Sequence, residues 1–299
     1  KNAIKRLAGQ FNHLSRRVTD PSRATKGVSI HYASSFEMLK ELGMSFLAGL
    51  ATTLGALVVL CFEKQPTPQQ MAFALSLAAG VMISVSVIEM WLPPLMKGDA
   101  SFGTFLWSFA GCGAFWLISK CIGSDPIPSS GSLLPTSSSG KDSEESVQRA
   151  RNGRLGLLMM VVLTAHNFPE GLAVAVSALS SQRLGAVVML AIAIHNVPEG
   201  IAIAVPIYAA TGSAKRAFLM AFLSGLSEPL GAFVALVILG DNVTQSAVEN
   251  LLCFVAGVMT TVAILELLPE AWHYRKPRAA LLGFTVGCAI MLVTTQLMP

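Results

Sequence analysis

Apolar residues run almost without interruption through eight stretches of the chain, near 42–62, 71–92, 101–122, 155–179, 184–207, 217–239, 248–269 and 279–297. Each is long enough to cross a hydrocarbon layer of about 30 Å as a helix, which takes about 20 residues. The runs are continuously apolar and do not alternate in dyads, so helices are predicted and barrel strands are not. The expected fold is an all-α integral membrane protein of eight transmembrane helices.

The pattern repeats. "FLAGLATTLGA" at 46–56 matches "FLSGLSEPLGA" at 222–232, and "AGVMISVSVIEMWLP" at 79–93 matches "AGVMTTVAILELLPE" at 256–270, with offsets of 176 and 177 residues. A weaker echo pairs Gly111 and Cys112 with Gly287 and Cys288. Spans 1–3 thus correspond to spans 6–8, with spans 4 and 5 between them, a 3+2+3 plan. Span 6 starts five crossings after span 1, so the second unit enters from the opposite side. Inverted repeats of this kind are common in secondary transporters, with a site near the midplane between repeats.

Polar positions break the apolar pattern most sharply in two places: "HNFPEG" at 166–171 in span 4 and "HNVPEG" at 195–200 in span 5. His166 and Glu170 are four residues apart, as are His195 and Glu199, so each pair shares a helix face. A tight turn near 180–183 makes spans 4 and 5 antiparallel neighbours and sets both motifs at similar depth. Pro169 and Pro198 remove backbone donors and free the carbonyls of Ala165 and Ile194, which must then be covered by protein or line a wet cavity. An ionised carboxylate at membrane depth costs several kcal/mol. A divalent cation offsets this, because imidazole and carboxylate suit Zn²⁺ or Fe²⁺. Asn167 and Asn196, one residue further round, would face a second position. Where span 1 has Thr52 and Thr53, span 6 has Glu228 and Pro229, and Glu228 is expected to complete the site. The bland alternative is a satisfied polar pack that holds helices together; duplication of the motif argues against it.

Composition agrees with a membrane protein: of 299 residues, 53% are hydrophobic and 13% charged, against about 25% charged in soluble domains. Alternate connections are basic. Lys64, Lys120, Lys141, Arg149, Arg151, Arg154, Lys215, Arg216, Arg275, Lys276 and Arg278 lie on one side, against Lys97 and Arg183 on the other. The positive-inside rule puts the first set in the cytoplasm and both termini outside it. Residues 1–41 form a basic segment that reads equally as a transit leader or a solvated tail; a chain opening on Lys1 is expected to be incomplete. The domains expected after it are helices 1–3 over 42–122, a flexible cytoplasmic loop over 123–154, and helices 4–8 over 155–299. The Ser/Pro/Gly-rich part of that loop, 123–150, has no histidine, which argues against metal sensing there. The five cysteines lack CxxC spacing and read as helix-packing residues.

On these motifs the chain resembles the ZIP family of zinc and iron transporters, particularly its bacterial-type branch with HNxPEG on two helices. The resemblance implies one metal site from His166, Glu170, His195 and Glu199. It implies a neighbouring one from Asn167, Glu170, Asn196, Glu199 and Glu228 with the glutamates bridging. It also implies extracytoplasmic termini, movement of metal toward the cytosol and frequent dimers. Residues 1–41 lie outside it, and the loop lacks the histidine cluster of many members.

The expected function is therefore transport of divalent metal ions, Zn²⁺ first, with Fe²⁺, Mn²⁺ and Cd²⁺ open. The metal is substrate and no cofactor is expected. The protein's other surroundings are the lipid bilayer of a plasma or organelle membrane and a second copy of itself, with no nucleic-acid partner. Glu89 and Glu266, which are repeat mates, are candidates for the mouth and exit of a pathway; Glu270 and His273 are candidates for handing metal on. The alternative is an intramembrane zinc metalloprotease, disfavoured because HExxH needs two histidines four apart. A receptor-type role would need a partner-binding domain, and none is visible.

Overall fold

The computed structural model describes residues 35–62, 65–92, 95, 102–122, 140–239 and 245–297. Ten α-helices make up the described chain: α1 Ser35–Ala56, α2 Pro68–Val85, α3 Phe102–Cys121, α4 Gly140–Ser180, α5 Gln182–Thr211, α6 Ala214–Gly225, α7 Ser227–Phe233, α8 Gln245–Val262, α9 Leu268–His273 and α10 Pro277–Leu297. Span 6 combines α6 with α7, span 7 combines α8 with α9, and α10 is span 8. Seven helical spans are long and apolar enough to cross a membrane, and Phe105–Cys121 is a shorter apolar one. All eight predicted spans are therefore helical, in a multi-pass membrane protein. Their outward faces carry Leu54, Leu60, Phe109, Trp116 and Leu281, each more than half exposed, while His166, Glu170, His195 and Glu199 are buried inside. A bilayer makes that distribution favourable; water would not.

The inverted repeat is written into the packing. Span 2 lies along span 8, and span 7 along span 3. A methyl group added at Gly80 would strike the carbonyl of Phe284, and one at Gly257 that of Ser108, which are repeat mates. Cys112 Sγ donates to Gly257 O at 3.6 Å and Cys288 Sγ to Gly80 O at 3.7 Å, again a matched pair. Both second helices of the repeat turn π-helical at the same place, Ser86–Trp91 and Ala263–Leu267. Between spans 1 and 6, Gly49 and Gly225 face each other's carbonyls, so the relating axis passes between them.

Spans 4 and 5, which stand outside the sequence repeat, obey the same axis. Gly200 of α5 meets the carbonyl of Thr52, and Gly171 of α4 meets that of Glu228. Gly55 meets Val197, and Gly231 meets Phe168. The two hexapeptides are thus each other's mates, and a single residue, Ser181, separates their helices.

Three local features matter for the site. Pro169 and Pro198 lie inside continuous helices, as does Pro206. Span 6, by contrast, breaks at Leu226, where Pro229 lacks the N–H that would continue the ladder, and Ser227 Oγ donates to Ser224 O at 2.7 Å. This break sets Glu228 in the first turn of α7. Lastly, α4 begins at Gly140 and so takes in 140–154, a stretch read from sequence as loop. At 41 residues it is about 60 Å long, roughly twice the hydrocarbon thickness. Ion pairs support the extra turns: Arg149 with Glu145 at 2.6 Å and Arg151 with Glu270 at 2.5 Å. Residues 1–34 and 123–139 lie outside the described residues.

Candidate metal centre

The two antiparallel helices bring both hexapeptides to one level. Glu170 Oε1 lies 2.9 Å from His195 Nε2, across the helix pair, and 2.9 Å from His166 Nε2 on its own helix. Glu199 Oε1 is 3.4 Å from His166 Nε2. Of these contacts only that between His195 and Glu170 is aligned as a hydrogen bond; His166 Nε2 and both Glu199 oxygens are buried without a hydrogen-bond partner. Nitrogen and oxygen atoms of His166, Glu170 and His195 lie within 4.8 Å of one another. That is the spacing of ligands around a shared ion.

Glu228 joins from span 6. Its Oε1 accepts from Asn196 Nδ2 at 2.5 Å. The asparagines also brace the helices on either side, again as mates: Asn196 donates to Ala48 O at 3.1 Å and Asn167 to Ser224 O at 3.4 Å. All seven predicted residues are at most 3% exposed.

Burial sets the electrostatics. Three carboxylates, Glu170, Glu199 and Glu228, sit together, and no ion pair of the described residues brings a Lys or Arg to them. Each buried ion costs several kcal/mol unless it is paired. Two neutral imidazoles do not supply the missing positive charge, whereas one or two divalent cations would. The donor set of imidazole nitrogen, carboxylate and amide oxygen without thiolate suits zinc and neighbouring first-row ions.

The four pathway candidates separate. Glu89 interacts electrostatically with His195 and Glu170, and its buried Oε1 has no hydrogen-bond partner; it belongs beside the centre. Its repeat mate Glu266 does not. Glu266 takes Arg154 Nη1 at 3.0 Å and Nη2 at 3.1 Å, with Ser119 at 3.2 Å. Glu270 is 5% exposed and held by Arg151 and by Gln148 at 3.3 Å. Tyr274 closes this second cluster, donating to Asn152 Oδ1 at 2.8 Å and accepting from Gln148 at 3.2 Å. Burial, then the nearby Glu270 charge, pushes its hydroxyl up to about 12, so it stays a neutral donor. His273 is exposed and set against Tyr274.

Sequence inspection missed the arginine side of these clusters, because Arg151 and Arg154 fell in the segment read as loop. It also passed over the buried hydroxyls of Ser45, Thr52 and Thr53. The repeat alignment already contained a signal for the last two, since it sets them opposite Glu228 and Pro229.

Comparison with known proteins shows the family. Residues 127–295 match the family model described as ZIP Zinc transporter. The chain is 39% identical over 270 residues to the Zinc transporter ZupT of Chlorobium phaeovibrioides, covering 88% of this chain and 99% of that protein. It is 38% identical over 260 residues to the Zinc transporter ZupT of Chlorobium limicola, covering 85% and 96%. With the ZupT of Streptococcus mutans it shares 37% identity over 261 residues, again 85% and 96%. Eight apolar spans, an inverted repeat, paired HNxPEG helices and relatives matched over nearly their whole length lead to one conclusion: this chain belongs to the ZIP zinc transporter family.

Proposed function

We propose that the protein carries divalent transition-metal ions, zinc first, across a membrane toward the cytosol through a two-ion centre on spans 4, 5 and 6. The observation that carries this is the convergence of His166, His195 and Glu170 in a buried cluster that has three carboxylates and, among the described residues, no ion pair to Lys or Arg. One position takes His166, Glu170, His195 and Glu199. The other takes Asn167, Asn196 and Glu228 and shares Glu170 and Glu199 as bridges. The relatives' printed name, zinc transporter, supports zinc as cargo; Fe²⁺, Mn²⁺ and Cd²⁺ share the donor chemistry.

Carriage demands binding that can be undone. Shared carboxylates and neutral amides give an open set of ligands and no closed cage, so each ion is held by groups its neighbour also uses. Glu89, coupled to the centre, guards the mouth, while Glu266 and Glu270 lie at the opposite end of the route with His273 beyond them. The basic connections support a cytosolic exit and extracytoplasmic termini. A plasma or organelle membrane and a homodimer complete the proposal.

The intramembrane protease alternative gains nothing from the geometry. Each helix offers one histidine with a carboxylate in the fourth position, where HExxH needs two histidines four apart, and the relatives are named zinc transporters.

X-ray absorption of the zinc-loaded protein tests the assignment. The expected first shell mixes two imidazole nitrogens at about 2.0–2.1 Å with oxygens at about 2.0–2.2 Å, and Glu170→Gln disrupts it. A shell without imidazole, or one unchanged in Glu170→Gln, would refute the site.

A further inference from the structure

The relating axis maps Glu228 onto Thr52 and Asn196 onto Asn167. Glu228 has its main chain against Gly171 of α4 and its side chain on Asn196 of α5. Thr52 has its main chain against Gly200 of α5, so the same axis directs its side chain at Asn167 of α4. Thr52 is fully buried, and its hydroxyl has no hydrogen-bond partner; Asn167 Oδ1 is likewise buried and unbonded.

A helical threonine normally settles its hydroxyl on the carbonyl four residues back. Thr164, Thr211, Thr261, Thr294 and Thr295 all do so here. For Thr52 that carbonyl is Ala48 O, and Asn196 Nδ2 already occupies it at 3.1 Å. The Thr52 hydroxyl makes no such bond. A buried hydroxyl and a buried amide oxygen without partners are each destabilising, a cost that a ligand or its bound water removes.

We propose that Thr52 is a specificity-determining residue of the metal centre. Its hydroxyl and Asn167 Oδ1 form a neutral-oxygen flank of the second metal position, opposite Glu228, and hold a divalent ion through one of that ion's waters. Where a second glutamate would make the two flanks alike and raise the negative charge, Thr52 leaves one flank uncharged. The second ion is then held more weakly and by harder donors than the ion at the histidines, which suits release and admits Mn²⁺ or Fe²⁺ beside Zn²⁺. This rests on the two-ion centre proposed above.

Equilibrium dialysis of the purified full chain with zinc alone tests it. Wild type is expected to bind two ions. Thr52→Val, which keeps the shape and removes the hydroxyl, is expected to leave the tighter ion unchanged and weaken the other about tenfold, the size of effect seen on removing a group that acts through a ligand. Thr52→Ser is expected to restore it, and Mn²⁺ should displace the second zinc less readily from Thr52→Val than from wild type. Thr52→Ala gives the same reading if valine perturbs folding, as checked by thermal unfolding. An unchanged second affinity in both Thr52→Val and Thr52→Ala, with Glu228→Gln weakened in the same assay, would overturn the proposal alone. A wild type that binds one ion would overturn it and leave a single-ion carrier. A folded wild type that binds none would overturn the metal centre as well.

Discussion

At Glu170 two imidazole nitrogens from different helices approach one carboxylate oxygen to 2.9 Å each. No other side chain of the cluster touches both histidines. Glu170→Gln keeps the shape and removes the charge, so zinc affinity should fall by about 10–100-fold or more, measured by competition with a zinc-binding dye. Protonation acts in the same direction. Histidine must be neutral and carboxylate ionised to bind a metal, so zinc binding should weaken as pH falls through the range where imidazole takes up a proton, near 6.5 for an ordinary histidine. Affinity that rises on acidification would contradict ligation by His166 and His195. These residues were legible in the sequence because the hexapeptide occurs twice in an apolar setting. Glu228 was legible only through comparison with span 1, and Arg151 and Arg154 were not legible at all, since their partners Glu270 and Glu266 lie more than a hundred residues away along the chain.

At the scale of helices, contact is by backbone. Gly171 packs on the carbonyl of Glu228 and Gly200 on that of Thr52, whereas Gly113 on α3 has nothing within 4 Å of an added methyl. Gly171→Ala and Gly200→Ala should therefore push spans 6 and 1 away from the hexapeptides, with loss of folded yield or of zinc binding. Gly113→Ala should be tolerated and gain helix stability of up to about 1 kcal/mol; thermal unfolding in detergent separates the cases. The far end of α4 is held differently, by Arg154 on Glu266 with both side chains less than a fifth exposed. Arg154→Met leaves a partly buried acid unpaired and should lower the unfolding temperature, and a double-mutant cycle with Glu266→Gln should recover much of the loss. Additive effects would mean that the pair does not couple. Sequence patterning located each apolar span but began span 4 about fifteen residues late, because the added turns at the start of α4 are polar and are held by long-range pairs that carry no apolar signal.

Across the whole molecule one two-fold relation organises spans 1 to 8. The sequence repeat covers spans 1, 2, 3, 6, 7 and 8, and the glycine contacts extend it to spans 4 and 5. Similarity between "HNFPEG" and "HNVPEG" already hinted at this, although antiparallel helices of a short motif do not reveal an axis until neighbours are known. The symmetry is broken where chemistry is concentrated. Glu228 faces Thr52 across the axis, and Glu266, clamped by Arg154, is the mate of Glu89, which interacts with the centre. A carrier needs such inequality, since the two ends of its route must bind and release the same ion under different conditions. The most direct measurement is the initial rate of radiozinc uptake into vesicles reconstituted with the full chain, compared with Glu170→Ala and Glu228→Ala at equal folded protein. Wild type should take up zinc well above empty vesicles, Glu170→Ala should fall to background, and Glu228→Ala should keep a minor fraction. No uptake by folded wild type, or equal rates in all three proteins, would contradict transport through this centre.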